Sequence, residues 1–129
     1  MYPVLKLFSL SPPCPGVIMF FMDHLQRHKL LDDLSSQLTQ LLGEKLDRVV
    51  LYGSHARGEA RPDSDMDILI VVQGEFDYGD LIHQTSVLIA HLSLENDIVI
   101  SRAFISKERY ENEISPFTLN VQREGIAIE

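Results

Sequence analysis

Residues 51–67 join two apolar runs through a Gly-Ser pair and an Asp-x-Asp pair. Gly53-Ser54 follows the run that ends at Tyr52, and Asp65-Met66-Asp67 opens the next run after ten intervening residues. The Gly-Ser turn places backbone N–H groups and a hydroxyl at the start of a short helix, which is an arrangement that suits phosphate. A glycine is explained there if the backbone approaches a ligand closely. The segment predicts a strand–helix–strand unit whose first half can hold a triphosphate.

The Asp-x-Asp pair predicts a site for a divalent metal. Strand side chains alternate, so Asp65 and Asp67 point to one face of the strand that they open. Two adjacent carboxylates repel each other, and a cation that prefers oxygen ligands, Mg²⁺ or Mn²⁺, satisfies both at once. The alternative is that each carboxylate has its own cap or ion pair, for example with Arg57 or Arg61.

A third carboxylate is expected on an adjacent strand. Asp97 follows a predicted helix and opens a short apolar strand, as Asp65 does. We predict that Asp97 joins Asp65 and Asp67 in one metal site. The alternative is that Asp97 is a polar cap at the start of its strand.

Apolar periodicity predicts a small α/β (α+β) fold with one mixed sheet flanked by helices. Residues 107–124 are predicted as one or two short helices interrupted at Pro116, and residues 126–128 as a short tail. The earlier elements are helix Asp23–Leu42, strand Arg48–Tyr52, helix Gly53–Ala60, strand Asp65–Val72, helix Tyr78–Leu92 and strand Asp97–Ser101, with an optional extension through Phe104-Ile105.

Residues 1–21 differ in composition from the rest of the chain. They contain one charged side chain, Lys6, and the Pro-rich stretch 11–16 forbids a continuous helix. We predict that they are a disordered extension or reflect a translation start placed too early, with Met19 or Met22 as the true beginning. Residues 22–129 are predicted to form a single domain.

Composition limits the classes of partner. The chain has 129 residues, of which 45% are hydrophobic, and its formal net charge is −8. Binding a long nucleic acid requires clustered Lys and Arg, so such a substrate is not expected. The apolar patch 17–22 is far shorter than the ~20 residues that span a bilayer. The lone cysteine, Cys14, cannot form an intramolecular disulfide, which favours a reducing cytoplasm.

The motif resembles that of a known superfamily. Gly53-Ser54, ten residues, Asp65-Met66-Asp67 and then Asp97 on a later strand are similar to the nucleotidyltransferase superfamily of the DNA polymerase β type. The fuller run, with Ala56-Arg57-Gly58-Glu59-Ala60 after the Gly-Ser pair, resembles its minimal nucleotidyltransferase (MNT) branch. Many members of that branch are antitoxins encoded beside ribonuclease toxins with a HEPN domain. The resemblance covers roughly residues 23–129 and implies the polymerase β-like nucleotidyltransferase fold.

The resemblance also implies a mechanism. Two Mg²⁺ ions, held by Asp65, Asp67 and Asp97, would bind a nucleoside triphosphate, with Mn²⁺ as a substitute. Gly53 and Ser54 would hold the terminal phosphates. Arg57 would neutralise phosphate charge, although an ion pair with a nearby Glu59 or Asp63 is an equal alternative. A hydroxyl would attack the α-phosphorus, and pyrophosphate would leave.

The acceptor is expected to be a protein. Little chain follows Asp97, which leaves no room for a dedicated domain that grips a small acceptor. A Tyr of a cognate HEPN toxin, modified with AMP from ATP in a hetero-oligomer, is the candidate that the resemblance implies. The alternatives are an antitoxin that only covers the toxin and an aminoglycoside-type transferase. The intact Gly-Ser pair and all three aspartates favour catalysis over simple occlusion.

Overall fold

The structure, a computed structural model, describes residues 24–61 and 63–128. The prediction for residues 1–21 lies outside this part of the chain. No helix within it is long and apolar enough to cross a membrane. Its elements, in chain order, are α1 (His24–Leu42), the 3₁₀ turn Gly43–Lys45, β1 (Leu46–Tyr52), α2 (Ser54–Arg57), β2 (Met66–Val72), α3 (Tyr78–Asn96), β3 (Ile100–Ser106), α4 (Lys107–Asn112), α5 (Pro116–Glu124) and β4 (Ile126–Ile128).

The strands form one sheet in the order β3-β2-β1-β4. β1 is antiparallel to β2 and to β4, whereas β2 and β3 are parallel. The sheet is therefore mixed, which confirms the predicted fold class. The sequence predicts residues 126–128 only as a tail, but they pair with Val49–Leu51 of β1 and become an edge strand.

Helices cover both faces of the sheet. The apolar stripe of α1 packs with α3 on one face, and α4 and α5 provide Tyr110 and Val121 on the other. Residues 68–72 of β2 are almost completely buried, as a strand that is apolar at every position predicts. The larger core cluster includes Leu30, Leu34, Leu38, Val49, Leu51, Met66, Ile68, Ile70, Leu92, Ile100 and Phe104.

β3 begins later than the sequence predicts. α3 continues to Asn96, and Asp97 lies in the left-handed turn that ends the helix, with φ of +52°. The amide N–H groups of Asp97 and Ile98 both donate to the Ser93 carbonyl, so a helix-ending turn occupies the positions predicted as strand. The strand starts at Ile100, and the predicted start at Asp97 is wrong. The extension through residues 104–105 is confirmed.

Candidate functional site

Gly53 links β1 to α2 and lies directly against Asp67. Its φ of +76° and ψ of −156° fall in a region that is essentially restricted to glycine. A Cβ atom at this position would overlap Oδ2 of Asp67. Gly53 therefore allows the Gly-Ser turn to approach the Asp67 carboxylate. With any other residue at this position, either the turn or the carboxylate would have to move.

The turn after Gly53 is compact. The amide N–H groups of Ala56 and Arg57 both donate to the Gly53 carbonyl at 3.1 Å. The helix ends at Arg57 instead of Ala60 because Gly58 adopts the left-handed conformation, with φ of +74°. This single turn places Ser54 beside Gly53 at the rim of the sheet.

Asp67 lies at the start of β2, between the two neighbouring strands. Its Cα partners are Tyr52 of β1 and Ser101 of β3. Asp65, predicted as a strand residue, is exposed and precedes β2 by one position. Within the described residues, neither aspartate forms an ion pair with Arg57 or Arg61. The alternative that each carboxylate has its own salt bridge with one of these arginines is therefore not observed.

The electrostatics of this pair are unfavourable without a cation. Burial raises the pKa of the Asp67 carboxyl, and repulsion from Asp65 raises it further, while His55 and Arg57 oppose the shift. Burial also raises the pKa of the Tyr52 hydroxyl, and Asp67 adds to that effect. A divalent cation bound between Asp65 and Asp67 would offset the repulsion between their carboxylates.

Asp97 lies in the turn that ends α3. It lines a cavity of about 430 Å³ together with Asp63 and Asp65, and Asp67 is not part of that lining. In the residues that the structure describes, no group of three or more acidic, His or Cys side chains is arranged to hold a metal ion. The structure thus brings Asp65 close to Asp97 and Asp67 close to Gly53, and the role of Asp97 as a third ligand stays a prediction.

Arg57 is engaged with two carboxylates. Its Nε donates to Oε1 of Glu59 at 2.9 Å, and its Nη1 contacts Oε1 of Glu124 at 3.4 Å. The ion pair with Glu59 is one of the two alternatives that the sequence leaves open. For Arg57 to bind phosphate, the ligand would have to compete with these exposed pairs, whose individual strength is small.

The sequence reasoning missed Tyr52 and Glu124 as neighbours of the site. Both line a cavity of about 210 Å³ beside Gly53 and Arg57. Tyr52 could have been found from strand alternation, because it precedes Gly53 and faces the same side as Asp67. Glu124 could not, since only the packing of α5 brings it to Arg57.

The family model described as "Nucleotidyltransferase domain" matches residues 29–122. The chain belongs to the nucleotidyltransferase family. The match contains the Gly-Ser turn and all three aspartates. This nucleotidyltransferase is therefore an enzyme of a family that acts on nucleoside triphosphates with divalent metal.

Two relatives from Methanocaldococcus jannaschii both carry the name "Putative protein adenylyltransferase". One is 30% identical over 102 residues, which cover 78% of this nucleotidyltransferase and 96% of the relative. The other is 32% identical over 81 residues, which cover 61% of this chain and 79% of the relative.

One solved structure shares the fold of this chain. A crystal structure titled as a "putative nucleotidyltransferase" from Sulfolobus solfataricus superimposes with a TM-score of 0.54 at 19% identity, covering 80% of this chain and 79% of that one. A structure of the toxin-antitoxin pair MntA-HpeT is similar over 71% of this chain and 69% of that one, at 16% identity and a TM-score of 0.47.

Proposed function

We propose that this nucleotidyltransferase transfers AMP from ATP to a hydroxyl of a protein acceptor. One observation carries the proposal. The Gly53 backbone lies against the carboxylate of Asp67, in a conformation that is essentially restricted to glycine. That carboxylate is repelled by Asp65 and forms no ion pair among the described residues. A phosphate-binding turn and an acidic pair in need of a cation are therefore adjacent.

The acidic pair fits a divalent metal. Asp65 and Asp67 supply oxygen ligands, and Asp97 would complete the set from its turn at the end of α3. Mg²⁺, in two ions, would neutralise the triphosphate and polarise the α-phosphate. The raised pKa of Asp67 supports this fit, because it reports a carboxylate whose charge is poorly compensated by the protein alone.

The residues of the chain have separate tasks in the proposed reaction. Ser54 and the Gly53 turn hold the terminal phosphates and orient the leaving group. Asp97 accepts the proton of the attacking hydroxyl. In this proposal the hydroxyl enters through the cavity that Asp65 and Asp97 line. The acceptor oxygen forms a bond to the α-phosphorus while the α–β bridging bond breaks, and pyrophosphate leaves with the electron pair. Arg57 releases its ion pair with Glu59 or Glu124 and binds a phosphate oxygen instead.

The names of the relatives support a protein acceptor. The match covers 96% of one relative named as a protein adenylyltransferase, so almost the whole of that protein corresponds to the domain described here. The MNT-like motif supports a HEPN-family toxin as the partner, a Tyr as the modified residue and a hetero-oligomer as the working complex. The net charge of −8 suits a partner whose cleft is basic, such as a ribonuclease.

Mass spectrometry tests this function directly. The purified protein is incubated with Mg²⁺ and ATP labelled at the α-phosphate, in one reaction with a candidate HEPN-family protein from the same organism and in another with an aminoglycoside. We expect the acceptor to gain the mass of one or more AMP groups at Tyr, and EDTA to abolish the gain. An unmodified acceptor that is still inhibited by the protein would contradict transfer and identify occlusion. Transfer of label to an aminoglycoside instead would identify a small-molecule transferase.

Replacing Asp97 with Gly separates its chemical role from its structural one. Asp97 occupies a left-handed position that glycine adopts without cost, so the free energy of unfolding should stay the same or rise by up to about 1 kcal/mol. AMP transfer should nevertheless fall by about 100-fold if the carboxylate binds metal, since even outer-sphere partners of metal ligands contribute about 10- to 100-fold.

Two variants control this experiment. Asp97→Asn also tolerates the left-handed turn and should lose activity to the same extent. Asp63→Asn changes another carboxylate of the same cavity and should keep activity. Activity is measured as the rate of pyrophosphate release, and the melting temperature of each variant shows that it is folded. If both Asp97 variants are folded and fully active, Asp97 is not a metal ligand.

A further inference from the structure

His55 is a buried side chain that the proposed reaction does not use. It lies in α2, directly after Ser54, and is only 7% exposed. Its Nε2 lies 3.3 Å from the carbonyl oxygen of Ser64. Because a carbonyl can only accept a hydrogen bond, Nε2 carries the proton in this contact. Nδ1 is fully buried and has no hydrogen-bond partner among the described residues.

The contact with Ser64 joins the two halves of the site. Ser64 immediately precedes Asp65, and it closes a turn with Arg61: the Ser64 N–H donates to the Arg61 carbonyl at 2.9 Å, and the Arg61 N–H donates to Ser64 Oγ at 2.7 Å. These bonds shape the turn but do not attach it to the rest of the protein. Among the described residues, the side-chain hydrogen bond between this turn and α2 is the one from His55.

A histidine is an unfavourable choice if this position only fills space. An aliphatic side chain would fill the same volume without leaving a buried nitrogen unpaired, and unpaired buried polar groups cost stability. The neighbouring Ala56 shows that α2 accepts an apolar residue against the core. The unpaired Nδ1 lowers the stability of the fold, whereas the Nε2–H group gives His55 a hydrogen-bond donor that an apolar residue lacks.

We infer that His55 is a positioning residue of this nucleotidyltransferase: its Nε2–H group fixes the turn that delivers Asp65 relative to the Gly-Ser turn that holds the phosphates. The triphosphate bridges these two turns in the proposed reaction, so their separation must be set before the ligand binds. The inference rests on the nucleotide-binding part of the proposed function and is independent of the identity of the acceptor.

Three variants test this role. His55→Leu removes both ring nitrogens, His55→Gln keeps an N–H donor near the position of Nε2, and His91→Leu changes an exposed histidine on α3 as a matched control. Each variant is measured for melting temperature, for amide hydrogen exchange in residues 63–67 and for affinity toward Mg²⁺ with a non-hydrolysable ATP analogue by calorimetry.

We expect the melting temperature of His55→Leu to change little, because removal of the unpaired buried Nδ1 offsets loss of the Nε2–H bond to the Ser64 carbonyl. Exchange in residues 63–67 should nevertheless accelerate, and the affinity for the Mg²⁺–nucleotide complex should fall by about 10-fold or more, as for other partners that orient metal ligands. His55→Gln should restore both properties, and His91→Leu should change neither.

Two outcomes would overturn the inference. In the first, His55→Leu exchanges and binds as the parent protein does, so that the contact with Ser64 has no positioning effect. In the second, His55→Leu and His55→Gln lose stability and affinity together, so that the ring only fills space. If the parent protein binds no Mg²⁺–nucleotide, the proposed function fails, and the exchange rates in residues 63–67 still decide the role of His55.

Discussion

Replacing Asp67 with Asn is expected to raise the melting temperature of the metal-free protein and, at the same time, to reduce AMP transfer by about 100-fold or more. The two effects have one cause. Asp67 is partly buried beside Asp65, so its negative charge destabilises the folded state, and the same charge is what a divalent cation requires. Stability and activity therefore oppose each other at this residue.

The stabilising effect depends on pH with a defined sign. The pKa of Asp67 is higher in the folded state than its ordinary value of 3.8. The folded state thus binds this proton more tightly, so the unfolding free energy decreases as pH rises from about that value through the raised pKa. The difference in melting temperature between Asp67→Asn and the parent should be small below pH ~4 and complete at neutral pH.

Magnesium should reverse the order of stability. A cation that binds only the folded state stabilises it by mass action, so Mg²⁺ should raise the melting temperature of the parent protein and leave that of Asp67→Asn almost unchanged. Asp63→Asn, whose carboxylate is exposed, serves as the control and should respond to Mg²⁺ as the parent does. Equal Mg²⁺ responses of the parent and Asp67→Asn would argue against Asp67 as a ligand.

Replacing Gly53 with Ala is expected to be more damaging than the same change at any other glycine with a positive φ in the described chain. The alanine methyl group would overlap the Asp67 carboxylate and would also require an unfavourable backbone conformation. Together these effects should cost about 2–5 kcal/mol of unfolding free energy. Even where the variant folds, Asp67 or the Gly-Ser turn must move, so AMP transfer should fall by about 100-fold.

Gly58→Ala is the matched control for this experiment. Gly58 also has a positive φ, +74°, but its ψ of 20° lies in the left-handed helical region, and no atom lies within 4 Å of the position that a Cβ would occupy. Only the backbone cost of about 1–2 kcal/mol is expected, with little loss of activity. Chemical denaturation measures the first quantity and pyrophosphate release the second. If both variants behave alike, the contact between Gly53 and Asp67 contributes nothing beyond backbone conformation.

The local part of the site was predictable from the sequence, because its residues are close together in the chain. Gly53, Ser54, Asp65 and Asp67 lie within one strand–helix–strand unit, and the antiparallel pairing of β1 and β2 brings both ends of that unit together. The strand start at Asp97 was predicted wrongly because an aspartate between a helix and an apolar run can either open the strand or end the helix. Asp tolerates the left-handed conformation, and here the helix-ending turn is formed.

Contacts between distant segments were not predictable. Glu124 reaches Arg57 only because α5 packs beside β1, and residues 126–128 pair with β1 through a register that no local pattern encodes. The environment of His55 has the same origin. Its burial and its contact with Ser64 follow from how the 61–64 turn folds back over α2.

The opposite directions of β1 and β2 have a practical consequence. The residues proposed to take part in the reaction belong to the segments between β1 and β2 and before β3, at the end of the sheet where β1 ends and β2 and β3 begin. The loop 73–77 lies at the far end of β2. Gln73, Gly74 and Glu75 are exposed there. A fluorophore or an inserted affinity peptide in that loop should therefore report on complex formation without touching the rim, which makes it the natural tether point for single-molecule and pull-down work.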